Sequence, residues 1–380
     1  MNTSWWKTID DLTPSQRAFI RLDNSGKHLL QGPPGSGKTN LLLLRAEYMA
    51  GTGLKNVLII TFTKPLRNFI RSGISKKRRI RPEQIQTFHS WACDHINQYL
   101  GEWPKISSEF NETDRELILE LLKKAAKVLP SQKLFDAIFV DEAQDLTCEE
   151  LESLLCLSDN ISISGDGKQG IYNKDGLDIG TRLNLTIHNL KEHFRIGHEI
   201  ARVADRILAP ANSSELLEAT SNYNDALLGK SNVDLHELKD REEQLSTMLS
   251  IIKIQLDAYP EDAVGIICAS RKTRLHLATE INKTEYGKIT SAHGIDPTSD
   301  FSDKRIHIMT VYGAKGAEFR AVHIFAAEEF ATGAFRRSKL MYTAVTRAKT
   351  SLNVYKTGHT TPALESALAK PKHIDLKDLF

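Results

Sequence analysis

Gly32-Pro-Pro-Gly-Ser-Gly-Lys-Thr39 is a glycine-rich loop that closes on a lysine and a hydroxyl. These residue types at this spacing bind phosphate. The glycines let backbone N–H groups curl round phosphate oxygens, and a helix opening at the loop adds partial positive charge. Gly32, Pro33, Pro34, Gly35, Ser36 and Gly37 form the cradle, Lys38 is placed for the β- and γ-phosphates, and the Thr39 hydroxyl for Mg²⁺. Further on, Phe139-Val-Asp-Glu-Ala-Gln-Asp145 ends an apolar run with neighbouring carboxylates. Asp141 can hold Mg²⁺, and Glu142 can polarise an attacking water. A kinase would gain nothing from a water-activating glutamate there, so hydrolysis is favoured over transfer. A nucleotide kinase or small-molecule NTPase is the alternative from another class.

The elements that must position these residues alternate in type. Strand candidates are Lys27–Gln31, Asn56–Phe62, Leu134–Val140, Asn160–Ser164, Arg182–Ile187, Ala263–Ala269, Arg305–Val311, Ala321–Ala326 and Ser351–Tyr355. Several, such as Val57-Leu-Ile-Ile60, are continuous apolar runs suited to strands buried on both faces of a parallel sheet. Helical patterns lie between them at Thr39–Ala50, Asp114–Leu129, Glu199–Leu208, Glu243–Ala258, Arg271–Asn282 and Arg336–Ala348. Alternation of this kind predicts an α/β fold with crossover connections. The chain has 380 residues with 50 Lys+Arg against 48 Asp+Glu, which excludes a uniformly basic polymer and leaves a local basic groove open. No apolar run is long enough to span a membrane. Met1–Lys7 has no apolar core of a signal peptide, and the four cysteines lack metal-ligand spacing, so a cytoplasmic location with no membrane association is expected.

Val140-Asp-Glu-Ala-Gln-Asp145 resembles motif II of the UvrD/Rep-like superfamily 1 DNA helicases, and the other motifs appear in that family's order. Thr13-Pro-Ser-Gln16 resembles the Q motif, Ile60-Thr-Phe-Thr-Lys64 motif Ia and Thr87-Phe-His-Ser-Trp-Ala92 motif Ib. Gly165-Asp-Gly-Lys-Gln-Gly-Ile-Tyr172 resembles motif III and Leu190-Lys-Glu-His-Phe-Arg195 motif IV. Val311-Tyr-Gly-Ala-Lys-Gly-Ala-Glu-Phe319 resembles motif V and Met341-Tyr-Thr-Ala-Val-Thr-Arg-Ala-Lys349 motif VI. The resemblance implies two RecA-like parallel-sheet domains with ATP between them, at 1–188 (with a small helical insertion near 92–130) and 189–360, then a tail at 361–380. It implies that Gln16 contacts adenine, Phe194 stacks on it and Glu318 lies near the ribose. Gln169 would sense the γ-phosphate, with Arg195 and Arg347 reaching it from the second domain. An arginine finger is worth roughly 10³–10⁵ in rate. Nucleic-acid contacts would come from Phe62, Thr63, Lys64, His89 and Tyr312, with the Lys76–Arg79 cluster nearby.

The sequence departs from the family pattern in three ways. The spaces that hold large inserted subdomains in longer members are short, so the chain reads as a minimal core. Motif III continues as Asn173-Lys-Asp-Gly176 where a base-stacking aromatic is expected. Motif V has Tyr312 and Ala317 where His and Leu are usual. The resulting expectation is an ATP-dependent translocase or helicase of the 3′-to-5′ branch. It would act on single-stranded nucleic acid, DNA before RNA, with a protein partner such as a nuclease. The alternative is a nucleic-acid-stimulated regulatory ATPase that does not unwind.

Overall fold

The continuous apolar runs become strands covered on both faces. In the computed structural model, which describes residues 8–73, 79–107, 110–130, 133–172, 174–295 and 304–369, they build two sheets. The first has the order β3-β2-β4-β5-β1-β6, from β1 (Lys27–Gln31), β2 (Val57–Thr61), β3 (Ile85–Thr87), β4 (Ala137–Val140), β5 (Ile161–Gly165) and β6 (Thr186–Asn189). The second has the order β7-β12-β11-β8-β10-β9, from β7 (Asn232–Glu237), β8 (Val264–Cys268), β9 (Thr290–Ala292), β10 (Ile306–Thr310), β11 (Phe319–Ile324) and β12 (Ala348–Lys356). Every pairing in both sheets is parallel. The two parallel-sheet α/β domains expected of a RecA-like fold are therefore present.

The chain divides into two units. The first runs through Arg195 and takes in Lys315–Ala317; the second holds the rest from Ile196. Phe194 and Arg195 thus group with the first unit, beyond the boundary expected at 188. In the first unit β2 is buried throughout, with Leu58 and Ile60 in one apolar cluster and Val57 and Ile59 in the other. That alternation is the period-2 geometry of a strand packed on both sides. One cluster is built on the helix Lys38–Gly51, the other on the helices Phe88–Leu100 and Glu112–Ala126. The stretch read as an insertion is therefore a core layer: Trp91, Ile96, Ile118 and Leu121 pack into the same cluster as β4. Its first helix starts at Phe88, where the Thr87 side chain accepts from Ser90 N at 3.3 Å.

In the second unit the helices Arg241–Ala258 and Arg271–Asn282 place Met248, Ile252, Leu277 and Ile281 against β8 and β10. The differences from the sequence reading fall at sheet edges. Arg182 ends a short helix, Asn184 turns the chain with φ 51°, and the strand expected at Arg182–Ile187 begins only at Thr186. β6 and β7 are largely exposed and β3 and β9 have three residues each, so none shows a buried apolar run.

Candidate active site and nucleic-acid interface

The phosphate loop leaves the C-terminal end of β1, at the edge of a parallel sheet where ligands bind. Gly35 and Gly37 hold left-handed backbone, at φ 79° and 87°, and Gly37 leads into the helix Lys38–Gly51. A side chain at Gly32 would meet Ser36 Oγ at 2.8 Å, and one at Gly35 would meet Arg195 Cβ at 2.9 Å. The Ser36 hydroxyl donates to Pro33 O at 2.8 Å, tying the loop to itself. Lys38 is buried and its ammonium donates to Gly32 O at 2.8 Å and Pro33 O at 2.9 Å. Burial pulls this ammonium below the usual lysine range, against the opposing pull of Asp166, Glu142 and Asp141. An anion in the loop would oppose that shift and favour the charged form.

Thr39, on the first turn of that helix, donates to Asp141 Oδ2 at 2.5 Å, and Ser164 donates to the other carboxylate oxygen at 2.5 Å. Asp141 follows β4 and Ser164 lies in β5, so neighbouring strands fix the carboxylate from two sides. Burial, with the Glu142 charge beside it, raises the Asp141 carboxyl to about 6. Its own hydrogen bonds oppose that rise, and a divalent cation would oppose it further. One hydroxyl and one carboxylate oxygen suit Mg²⁺, which takes few protein ligands and completes its shell with phosphate and water. The residues present therefore fit ATP and Mg²⁺.

Glu142 has φ 58°, a left-handed backbone rare for a residue with a side chain and a form of strain typical of functional sites. Gln144, to which the sequence reading gave no role, donates to the Glu142 carboxylate while its Oε1 accepts from Asp166 N at 3.1 Å. Gln169 donates to Asp166 Oδ2 at 2.8 Å. Lys315 was also missed. It is buried, donates to Asp145 Oδ1 at 2.5 Å and Gln169 O at 2.6 Å, and lies 3.9 Å from Glu142. Burial raises the Asp145 carboxyl to about 7, with Lys315 pulling it back.

Gln16 bridges the helix Pro14–Ile20 and the phosphate loop: its Nε2 donates to Ser36 O at 3.1 Å and its Oε1 accepts from Thr13 N at 3.0 Å. Phe194 is half-buried and its N–H donates to Gly35 O at 3.2 Å. The expectation that Arg195 reaches in from the second domain gives way to its place in the first unit beside Gly35. In the second unit, Arg347 is buried and donates to Thr343 O at 3.0 Å and Thr346 Oγ1 at 3.3 Å, closing the end of the helix Ser338–Val345. Glu318 pairs with Lys349 at 2.6 Å, and the Tyr312 hydroxyl accepts from Arg337 at 3.4 Å.

The expected strand-binding residues of the first unit meet in an aromatic strip. Phe62 lies 5.0 Å from the Tyr172 ring and 6.4 Å from His89, and His89 lies 4.3 Å from Phe110. Phe110 is 41% exposed, the most open ring of the four. No motif contains it, so only the fold reveals it. Thr63 accepts from Leu66 N at 3.3 Å at the start of the helix Lys64–Gly73, and the exposed Lys64 opens that helix. The motif III departure has a structural use. Lys174 pairs with Glu112 at 2.7 Å, close in sequence to Phe110, and Asp175 accepts from Cys148 N at 2.9 Å. A side chain at Gly176 would lie 2.1 Å from Ala143 O, so only glycine fits there. In the expected Lys76–Arg79 cluster, residues 76–78 lie outside the described residues; the N–H of Arg79 donates to Glu47 at 2.9 Å.

Two family models match the chain. Residues 12–134 match the UvrD/REP helicase N-terminal domain, and residues 305–355 match the UvrD-like helicase C-terminal domain. No curated protein matches it. Among solved structures, PRRSV helicase is 14% identical with a TM-score of 0.40, covering 90% of this chain and 54% of that one. The chain thus spans about half the length of that structure. The C-terminal domain of a possible DNA helicase from Lactobacillus plantarum is 19% identical with a TM-score of 0.33, covering 45% of this chain and 91% of that one. Both likenesses are too loose to bear on function. No helix among the described residues is long and apolar enough to cross a membrane.

Proposed function

We propose, from the chain's membership of the UvrD/Rep-like helicase family, that it hydrolyses ATP to drive movement along single-stranded nucleic acid. The reading extends to DNA rather than RNA, 3′-to-5′ polarity, a cytoplasmic location and a protein partner that assists duplex opening. The observation that carries it is the meeting of Lys38 and Thr39 with Asp141 and Glu142 across β1, β5 and β4.

The loop amides and Lys38 hold the phosphates, and Lys38 exchanges its bonds to Gly32 and Pro33 for bonds to them. Thr39 and Asp141 would hold Mg²⁺, which supplies charge neutralisation on the phosphate oxygens when bound. Glu142, oriented by Gln144, accepts the proton of the attacking water. Gln169 reports the phosphate state to Lys315 through its carbonyl. Arg195, beside Gly35, supplies positive charge to the transferring group. Arg347 is proposed as a second such cation, a role that requires it to release Thr343 and Thr346. Gln16, Phe194 and Glu318 are proposed for the nucleoside. Phe62, His89, Tyr172 and Phe110 offer faces on which bases stack, with Thr63, Lys64 and Tyr312 for the backbone.

The test is ATP turnover with no nucleic acid, single-stranded DNA, single-stranded RNA or duplex. Turnover that depends on Mg²⁺ and rises most with single-stranded DNA is expected. Turnover indifferent to all three polymers would overturn the motor reading.

A further inference from the structure

Arg45 lies two turns beyond Lys38 on the helix Lys38–Gly51 and is 1% exposed, among the largest side chains of the interior. Among the described residues it forms no ion pair; Asp23 meets it through the main-chain carbonyl. Its donors are spent on neutral oxygens. Nε donates to Ser162 Oγ at 3.0 Å, Nη1 to Phe19 O and Ile20 O at 3.3 Å and to Leu22 O at 2.9 Å, and Nη2 to Asp23 O at 2.8 Å. The four carbonyls are the C-terminal end of the helix Pro14–Ile20 and the turn that leaves it. Burial lowers the guanidinium to about 10, against the pull of Tyr48 and Asp23, so it stays a cation at neutral pH.

That helix carries Gln16 and is too short to hold its own shape. It has 7 residues, and helices below about 12–15 residues are marginal in water on their own. Its N-terminal end is closed by reciprocal bonds between Thr13 and Gln16. At the other end the carbonyls of Ile20, Leu22 and Asp23 accept from Arg45, and a cation there also complements the helix dipole. Phe19 and Ile20 pack in the apolar cluster built on the helix that carries Arg45. Ser162 fixes the guanidinium in turn. It lies on the same face of β5 as Ser164, which donates to Asp141. One strand face therefore anchors both the Asp141 carboxylate and the clamp on the helix of Gln16.

A buried cation is costly, and filling a core does not require one. A planar fork that reaches several carbonyls at once is what an apolar side chain or a lysine cannot supply. We propose that Arg45 is a positioning residue for base recognition: by clamping the end of the helix Pro14–Ile20 it sets the place of Gln16, whose Nε2 donates to Ser36 O, and so the preference for adenine over guanine. The inference rests on the reading of Gln16 as a nucleoside contact. It adds that this contact is set from the phosphate-loop helix, so that one rigid element positions both ends of the nucleotide.

The experiment measures kcat and KM of the full chain for ATP and for GTP. Arg45→Lys keeps the charge and loses the fork. KM for ATP should rise about tenfold, the equivalent of one or two hydrogen bonds. The kcat and the KM for GTP should stay within about twofold, the pattern of a lost binding contact. Ser162→Ala frees only Nε and should shift the ATP-to-GTP ratio about threefold in the same direction; it carries the test if Arg45→Lys does not fold. Gln16→Ala should lose the discrimination outright. Adding Arg45→Lys or Ser162→Ala to it should then change the ratio no further, since residues that act through one another are not additive. Equal losses for ATP and GTP, or a ratio that falls again in the double variants, would make Arg45 a structural residue only and overturn the proposal. If Gln16→Ala lowers the discrimination while Arg45→Lys and Ser162→Ala leave it intact, the proposal alone fails. If Gln16→Ala leaves it intact, the nucleoside reading of Gln16 fails and the proposal with it.

Discussion

The phosphate site and the aromatic strip belong to the same unit and are built by opposite means. The two carboxylates of the phosphate site are each held from two sides: Asp141 accepts from both Thr39 and Ser164, and Glu142 is held by backbone conformation and by Gln144. Its groups are buried charges, whose pairing must be complete. The strip is four rings from four separate segments, half-buried to exposed, set at tilted to edge-on angles with no hydrogen bond joining one ring to the next. Loss of one member should abolish function in the first region and only reduce it in the second.

Glu142→Gln is the severest test of that contrast. The amide keeps the shape but cannot take a proton from water, so turnover should fall by roughly 10²–10⁴ with ATP affinity retained. Equal loss of affinity and rate would make Glu142 a structural residue. Lys38→Ala comes next, with turnover about 10²–10³ lower, the cost of removing one preorganised donor. Near-normal turnover in that variant would remove the phosphate assignment altogether.

The contrast also explains what could be read from the sequence. The phosphate site was legible because backbone geometry forces its residues into contiguous strings: only glycine tolerates φ 79° and 87° at Gly35 and Gly37, and Thr39 must follow Lys38 onto the helix. Buried strands such as β2 and β4 were legible because both faces are apolar. Phe110 was not, since it lies in an irregular segment and meets His89 only through tertiary packing. Lys315 was not, because its partner Asp145 is far away in the chain. Strands β3 and β9 are too short to show a period, and β6 and β7 are too exposed to show a buried apolar run.

For the strip, Phe110→Ala should weaken binding of oligo(dT) about 5- to 150-fold, because stacking contributes roughly 1–3 kcal/mol per base. Phe110→Trp should restore it, and basal ATP turnover should not move. If wild type binds and Phe110→Ala binds equally, Phe110 is not a platform; if wild type does not bind, the motor reading itself fails. A smaller effect is expected from Glu112→Gln, which removes the partner of Lys174 beside Phe110. That carboxylate is 62% exposed, so the pair is screened and the loss of affinity should stay within about fivefold. A loss as large as that of Phe110→Ala would mean the strip is held as tightly as the phosphate site.

The smallest expected effect is none. Burial among aromatic rings lowers the His89 imidazole to about 4, and its Nε2 is buried without a hydrogen-bond partner. Because the folded value lies below the unfolded one near 6.5, the unfolded chain binds the proton more readily between the two. Stability is therefore lost as pH falls from about 6.5 towards about 4, and is untouched above that window. From pH 6 to 8 the ring stays neutral and can act only as a stacking face. Oligo(dT) affinity at fixed salt should then show no slope that His89→Phe removes, and His89→Phe should keep most of the affinity. A histidine that met phosphate as a cation would behave differently: affinity would climb as pH dropped from 8 to 6, and the climb would vanish in His89→Phe. That outcome would place a charge at the centre of the strip. The strip would then differ from the phosphate site in degree of burial but not in the kind of force it applies.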